Sequence, residues 1–154
     1  MSQIVPPAHL KDFVGAEPRF SDWLLIDQDR INSFADATND HQFIHVDLEK
    51  AAEGPFGGTI AHGYLTLSLL SHLTETCAVV PENLAVVINY GLNKVRFLQP
   101  VKVNAQVRAQ VQTKDVTERN PGQFLITSTV TIEIKGDDKP AMIAESLALF
   151  IVNA

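Results

Sequence analysis

The sequence predicts an α+β fold, an antiparallel sheet curled around one long helix, and three stretches carry that prediction. Residues 54–77 run from a glycine loop, Gly54-Pro-Phe-Gly-Gly58, into a helical pattern with Leu65, Leu69 and Leu73 at four-residue spacing and hardly any charge. Residues 101–111 alternate strictly between apolar and polar, as do most of 124–134, and Asn120-Pro121-Gly122 lies between the two runs. Residues 141–152 are apolar on both parities apart from Glu145 and Ser146.

Taken in order, residues 1–19 contain Pro6, Pro7 and Pro18 and read as an irregular N-terminal arm of a single domain spanning 1–154. Trp23 to Ile26 reads as a short strand. Asp27 is placed to cap a helix over Gln28 to Ala37, in which Ile31, Phe34 and Ala35 share a face. Thr38-Asn39-Asp40 ends it, His41 to Val46 reads as a connection, and Asp47 is placed to cap one or two helical turns through Ala52. The central helix from about Gly63 carries only Glu75 as an unambiguous charge, so it is expected to be wrapped nearly all round by other structure. Its fifteen or so residues span only about 22 Å, short of the ~20 apolar residues a membrane crossing needs.

Beyond the helix, residues 85–97 switch phase, with Val86, Ile88, Tyr90 and Leu92 on one parity and Val95 and Phe97 on the other. A one-residue bulge near Gly91 reconciles them. Val101 to Gln112 and Phe124 to Ile134 form an antiparallel hairpin through the Asn-Pro-Gly turn. The last run reads as a central strand covered on both faces, with Glu145 paired or at a bulge. A sheet of this kind around a helix is the hotdog architecture. It leaves an open edge that a second copy commonly covers, so a homodimer or dimer-based oligomer is expected.

Composition removes other classes of function. A formal charge of -6 and a pI near 5.2 argue against nucleic-acid binding, whose affinity comes from clustered Lys and Arg. A single cysteine, Cys77, allows no internal disulfide, and no charged segment followed by an apolar run stands near residue 1. A cytoplasmic protein without a membrane partner is expected.

Two polar clusters offer chemistry: Asn39-Asp40-His41-Gln42-Phe43-Ile44-His45 and Thr59-Ile60-Ala61-His62-Gly63. Asp40 and His45 lie five apart on a loop, and converging on one water they could accept its proton and return a proton to substrate. The competing reading makes Asp40 a helix-end turn residue and His45 a packed histidine.

These residues, with Val95-Arg-Phe-Leu-Gln-Pro-Val101, resemble the MaoC-like dehydratase family, which includes the R-specific enoyl-CoA hydratases, and within it the nodulation-protein-N-like branch. The family pattern Gly-Asp-x-Asn-Pro-aliphatic-His is matched at Asp40, Ile44 and His45, while Asn39, Gln42 and Phe43 replace its Gly, Asn and Pro. The resemblance implies reversible hydration of an enoyl thioester to an R-3-hydroxyacyl thioester, carried by coenzyme A or acyl carrier protein. It implies Asp40 and His45 as the water-activating pair and the backbone N–H of Gly63 as oxyanion donor. No metal and no redox cofactor is required.

Gln42, Ala61, His62, Tyr64 and Ser68 are the candidate substrate-binding residues. For His62 the alternative is a residue that orients the loop, and for Ser68 a hydroxyl back-bonded within the helix. Lys94, Arg96, Lys102 and Arg108 could form a local basic patch for a phosphate-bearing carrier, or simply a solvated strand face. Two rivals stand beside the hydratase reading. One is an acyl-CoA thioesterase of the same fold, against which the absence of a carboxylate from Gly63 to Thr74 argues. The other is a non-catalytic acyl-thioester-binding protein.

Overall fold

A computed structural model describes residues 2–153 and shows a hotdog fold. Strands β1 (Gln3–Val5), β2 (Arg19–Phe20) and β3 (Leu24–Ile26) precede helices α1 (Gln28–Thr38), α2 (Phe43–Val46), α3 (Leu48–Ala52), α4 (Gly63–Ser68) and α5 (Leu70–Glu75). Strands β4 (Val79–Pro81), β5 (Leu84–Phe97), β6 (Ala105–Asn120), β7 (Gln123–Ile134) and β8 (Met142–Val152) complete the chain. The main sheet has the order β2-β6-β7-β8-β5, with β3 also paired to β6, and all its pairings are antiparallel.

The two capping expectations hold: Asp27 accepts the Arg30 N–H at 2.9 Å and Asp47 the Lys50 N–H at 3.0 Å, each satisfying a donor that a helix start leaves free. The β5–β8 register slips between Asn89 and Gly91, at the expected bulge. Glu145 takes a hydrogen bond from Asn93 Nδ2 at 2.8 Å beside a further slip.

The N-terminal arm is not irregular. Its β1 pairs in parallel with β4, a 3-10 turn covers Pro7–Phe13, and Leu10 is buried with Val5 against Val116, Phe124 and Phe150. A three-residue strand has no periodicity to read, and only docking against residues far along the chain creates it. Strand β6 likewise begins at Ala105, four residues later than the alternation suggests. Asn104 adopts a left-handed φ of 66° and donates to the Ile26 carbonyl at 2.7 Å, while Lys102 makes only an isolated bridge to Ile60. His41 to Val46, read as a connection, holds the short helix α2.

The central helix is interrupted and half open rather than continuous and enclosed. It divides at Leu69, whose ψ of -11° departs from helical geometry. The preceding Ser68 hydroxyl donates back to the Tyr64 carbonyl at 2.7 Å, a bond that commonly bends helices. Leu65, Leu69, Leu70 and Leu73 are buried against Val107, Ala109, Val130, Ile132, Met142 and Ala144 on the sheet's inner face. The opposite side of the helix, with Gly63, Tyr64, Ser68, Ser71 and His72, is exposed. Strand β5, at the sheet edge, exposes Val86, Val87, Ile88, Tyr90, Leu92 and Phe97. Strand β8 is central as expected, between β7 and β5, but its outer face is only half covered, with Ile143 exposed and Leu147, Leu149 and Ile151 half-buried. One chain supplies too little sheet to enclose the helix on both sides. Among the described residues no helix is long and apolar enough to cross a membrane.

Candidate active site

The site begins where α1 ends. Asn39 turns left-handed at φ 59°, a conformation that glycine adopts freely and asparagine tolerates better than most residues. Replacing the family pattern's Gly by Asn therefore keeps the turn that delivers Asp40. The Asp40 carboxylate is exposed and accepts the Gln42 N–H at 3.4 Å. Gln42 is extended, with φ -57° and ψ 138°, and Phe43 takes the first position of α2, the slot that proline favours. The Phe43 ring lies under the Lys50 ammonium at 4.5 Å, and 3.7 Å from where a Cβ on Gly54 would sit. It packs toward α3 and the glycine loop.

His45 is buried at 6% exposure. Its Nδ1 lies 2.7 Å from the Ile60 carbonyl, which can only accept, so Nδ1–H donates and Nε2 keeps a bare lone pair. Burial lowers the imidazole pKa. The bond to Ile60 and the charge of Asp40 raise it by less than burial and the nearby His62 together lower it, so His45 stays neutral below the usual histidine range. Its backbone is fixed too: Gln28 Nε2 donates to the His45 carbonyl at 2.8 Å, and Gln28 Oε1 accepts from the Thr59 hydroxyl at 2.6 Å.

His62 joins the two polar clusters. It is 2% exposed, its Nε2–H donates to the Asp40 carbonyl at 2.9 Å, and its ring stacks on His45 at 3.8 Å between centroids. Phe34 closes the other side at 4.9 Å. Nδ1 of His62 is buried without a partner among the described residues. Residue 62 also precedes α4, and its carbonyl takes the N–H groups of Leu65 and Thr66. The N–H of Gly63, at the first position of α4, has no acceptor among the described residues. Gly63 is exposed and packs so closely on Phe97 that an added Cβ would lie 3.3 Å from three ring carbons.

The remaining candidates are placed as follows. Ala61 is buried and donates its N–H to Val101. Tyr64 is 69% exposed with its ring edge toward Phe97. Ser68 is exposed, its hydroxyl already spent on the Tyr64 carbonyl. Of the basic residues, Arg108 is committed elsewhere, paired with Glu133 at 2.7 Å and lying over the rings of Phe20 and Trp23. Lys94, Arg96 and Lys102 are exposed, and the last two flank the site through their neighbours Phe97 and Ile60. Gln28, the Ile60 carbonyl and Phe97 were not legible as site residues. Each acts through a long-range contact, and only the polar cluster at 59–63 hinted at one of them.

A carboxylate oxygen of Asp40 and a ring nitrogen from each of His45 and His62 lie within 4.8 Å of one another. One water making bonds of about 2.8 Å to each partner can bridge such a gap. The same donor set suits a shared metal ion poorly. The two imidazoles are only 23° from parallel, so the lone pairs of their free nitrogens lie in two separate, nearly parallel planes. A neutral imidazole with an outward lone pair beside a carboxylate is instead a general base with a charged neighbour to support its protonated form.

Known proteins resemble the chain along most of its length. The MaoC-like domain family matches residues 10–134. The "3-hydroxyacyl-thioester dehydratase Z" of Mycobacterium tuberculosis is 46% identical over 144 residues, covering 94% of this chain and 95% of that protein. "Nodulation protein N" of Rhizobium leguminosarum is 44% identical over 137 residues, covering 88% and 85%. Among solved structures, the "(R)-hydratase from A. caviae involved in PHA biosynthesis" superposes with a TM-score of 0.67 at 26% identity, covering 86% of this chain and 94% of that one. The match thus extends over most of the chain, and by sequence the chain belongs to the MaoC-like domain family.

Proposed function

We propose that this protein is a hydratase/dehydratase that interconverts enoyl thioesters and R-3-hydroxyacyl thioesters. The observation that carries the reading is the placement of Asp40 and His45 within one water of each other, with His45 held neutral and its Nε2 free. In the hydration direction His45 Nε2 takes a proton from the water as its oxygen bonds C3. Electron density moves through the C2–C3 bond to the thioester oxygen. The imidazolium, beside the Asp40 carboxylate, then returns the proton to C2, so the elements of one water are added. Neither step calls for a metal or a redox cofactor.

The Gly63 N–H is our candidate for the thioester oxygen, since a preorganised backbone donor facing developing charge stabilises the transition state more than the ground state. His62 in this reading acts on Asp40 and His45, while Gln42, Ala61 and Tyr64 border the entrance. Arg96 and Lys102 are positioned to meet a phosphate of coenzyme A or acyl carrier protein. A second copy of the chain, laid along β5, covers its apolar face and the open side of the helix. A cytoplasmic location suits such a substrate.

Incubation with crotonyl-CoA and longer enoyl-CoA esters, following loss of the conjugated absorbance and in parallel release of free thiol, tests the proposal. We expect hydration without thiol release, and losses of ~10²–10⁴-fold in Asp40→Asn and in His45→Ala. Thiol release alone would establish a thioesterase instead. Absence of turnover with every ester would leave only a binding protein, and full activity in both variants would overturn the assignment of Asp40 and His45.

A further inference from the structure

Between α5, β4 and the inner face of the sheet lies a cavity of about 830 Å³, away from Asp40 and His45. Its floor is patterned. Across β6, β7 and β8 the register aligns Val111, Val130 and Ala144 in one row, Thr113, Ser128 and Ser146 in the next, and Val116, Ile126 and Ala148 in the third. A band of three hydroxyls thus crosses an otherwise aliphatic surface. None of the three hydroxyls bonds any protein group among the described residues, although all three residues are half-buried. Facing this band, Ser71 of α5 and Asn89 of β5 bond each other at 3.2–3.3 Å.

The three hydroxyls line the cavity and are free to pair with whatever oxygen occupies it, water or a ligand group. The cavity continues along the helix toward its first turns. A smaller hollow of about 320 Å³, lined by Leu67 and Ser68, shares Leu70, Ser71, Asn89 and Ser146 with it. Ser71 stands eight residues along the helix from Gly63, a path of about 12 Å at helical rise. A tail attached to a thioester at Gly63 can follow that path, between aliphatic walls, until it meets the hydroxyl band.

We infer that this cavity holds the acyl tail and that its Thr113, Ser128 and Ser146 band selects tails bearing a hydroxyl or oxo group far from the thioester. The inference rests on the hydratase reading for the identity of the head group, but the cavity's preference is a property of its own. The substrate class is an oxygenated acyl thioester of medium or greater length. An unsubstituted tail leaves the band facing hydrocarbon.

Two measurements on the full chain test it. In the first, kcat/KM is compared for dodecenoyl-CoA and its ω-hydroxy derivative, with wild type and Ser128→Ala/Ser146→Ala. We expect wild type to favour the hydroxylated ester ~10-fold, the effect of about one neutral hydrogen bond made where otherwise none is. The double variant should lose or invert that preference, and Ser128→Thr, which keeps a hydroxyl, should retain it. In the second, calorimetric titration of dodecanoate and ω-hydroxydodecanoate reads the same preference with no turnover involved. Preference for the plain tail in wild type, or equal ratios in wild type and the double variant, overturns the inference. A retained binding preference in a protein that hydrates no ester would instead sink the hydratase reading and leave the cavity assignment standing.

Discussion

His62 offers the sharpest test of how the site is held together, because it contacts both members of the proposed pair without being one of them. In His62→Leu the Asp40 carbonyl loses its donor at 2.9 Å and His45 loses its stacked ring at 3.8 Å. A partly buried carbonyl left unpaired costs about 1–3 kcal/mol, and a lost ring pair about 0.5–1.5 kcal/mol. In a domain of this size each kcal/mol lowers the melting midpoint by roughly 2–4 °C. The kinetic effect is larger. With its carbonyl untethered, the Asp40 turn can drift, and a displacement of about 1 Å at a reacting group costs ~10²-fold in rate. We expect kcat for enoyl-CoA hydration to fall by about that factor with little change in KM. His62→Gln keeps a donor at the Nε2 position and should restore most of the rate. It also removes a neighbour that lowers the His45 pKa, so its acidic limb in kcat against pH should move to higher pH. Wild-type kcat in His62→Leu, together with an unmoved limb in His62→Gln, would refute the tethering argument.

Other expectations follow from the same contacts. His45 has its pKa lowered in the folded protein and an unfolded value near 6.5, so the unfolded chain binds the proton first as pH falls. The stability it contributes is whole above about 6.5 and is lost as pH drops toward the folded value; thermal melts across that range should show the decline, and His45→Gln should flatten it. In the same direction, activity should persist below 6.5 before the base is protonated. Gly63→Ala gains about 0.5–1 kcal/mol of helix propensity but sets a methyl 3.3 Å from the Phe97 ring. Its melting point should stay near wild type while hydration slows at least tenfold, and unchanged activity would show that the helix start is not poised against substrate. Ile88→Lys places a charge on the exposed apolar face of β5. Sedimentation should then show a species near the chain mass of 16.9 kDa, against twice that for wild type.

Long periodic segments were legible because their burial is written into each turn or pleat. The β6–β7 hairpin, the bulge near Gly91 and the Asp27 and Asp47 caps depend on neighbours a few residues away. The candidate pair was legible only as two residue types on one loop. What brings them within one water is the left-handed turn at Asn39, the Ile60 carbonyl that fixes the His45 tautomer, and His62 reaching back across 22 positions to Asp40. The strand formed by Gln3–Val5 and the commitment of Arg108 to Glu133 escaped the sequence for the same reason.

By itself, then, the sequence determined the class of fold, the family and the identity of the groups able to do chemistry, since hydrophobic period and local motif are properties of neighbouring residues. Only the tertiary structure decided which nitrogen of His45 is free, that His62 is tied to Asp40 and not left facing solvent, and that an unpartnered hydroxyl band crosses the inner sheet. Those depend on strand register and on contacts between distant segments, which no local pattern encodes.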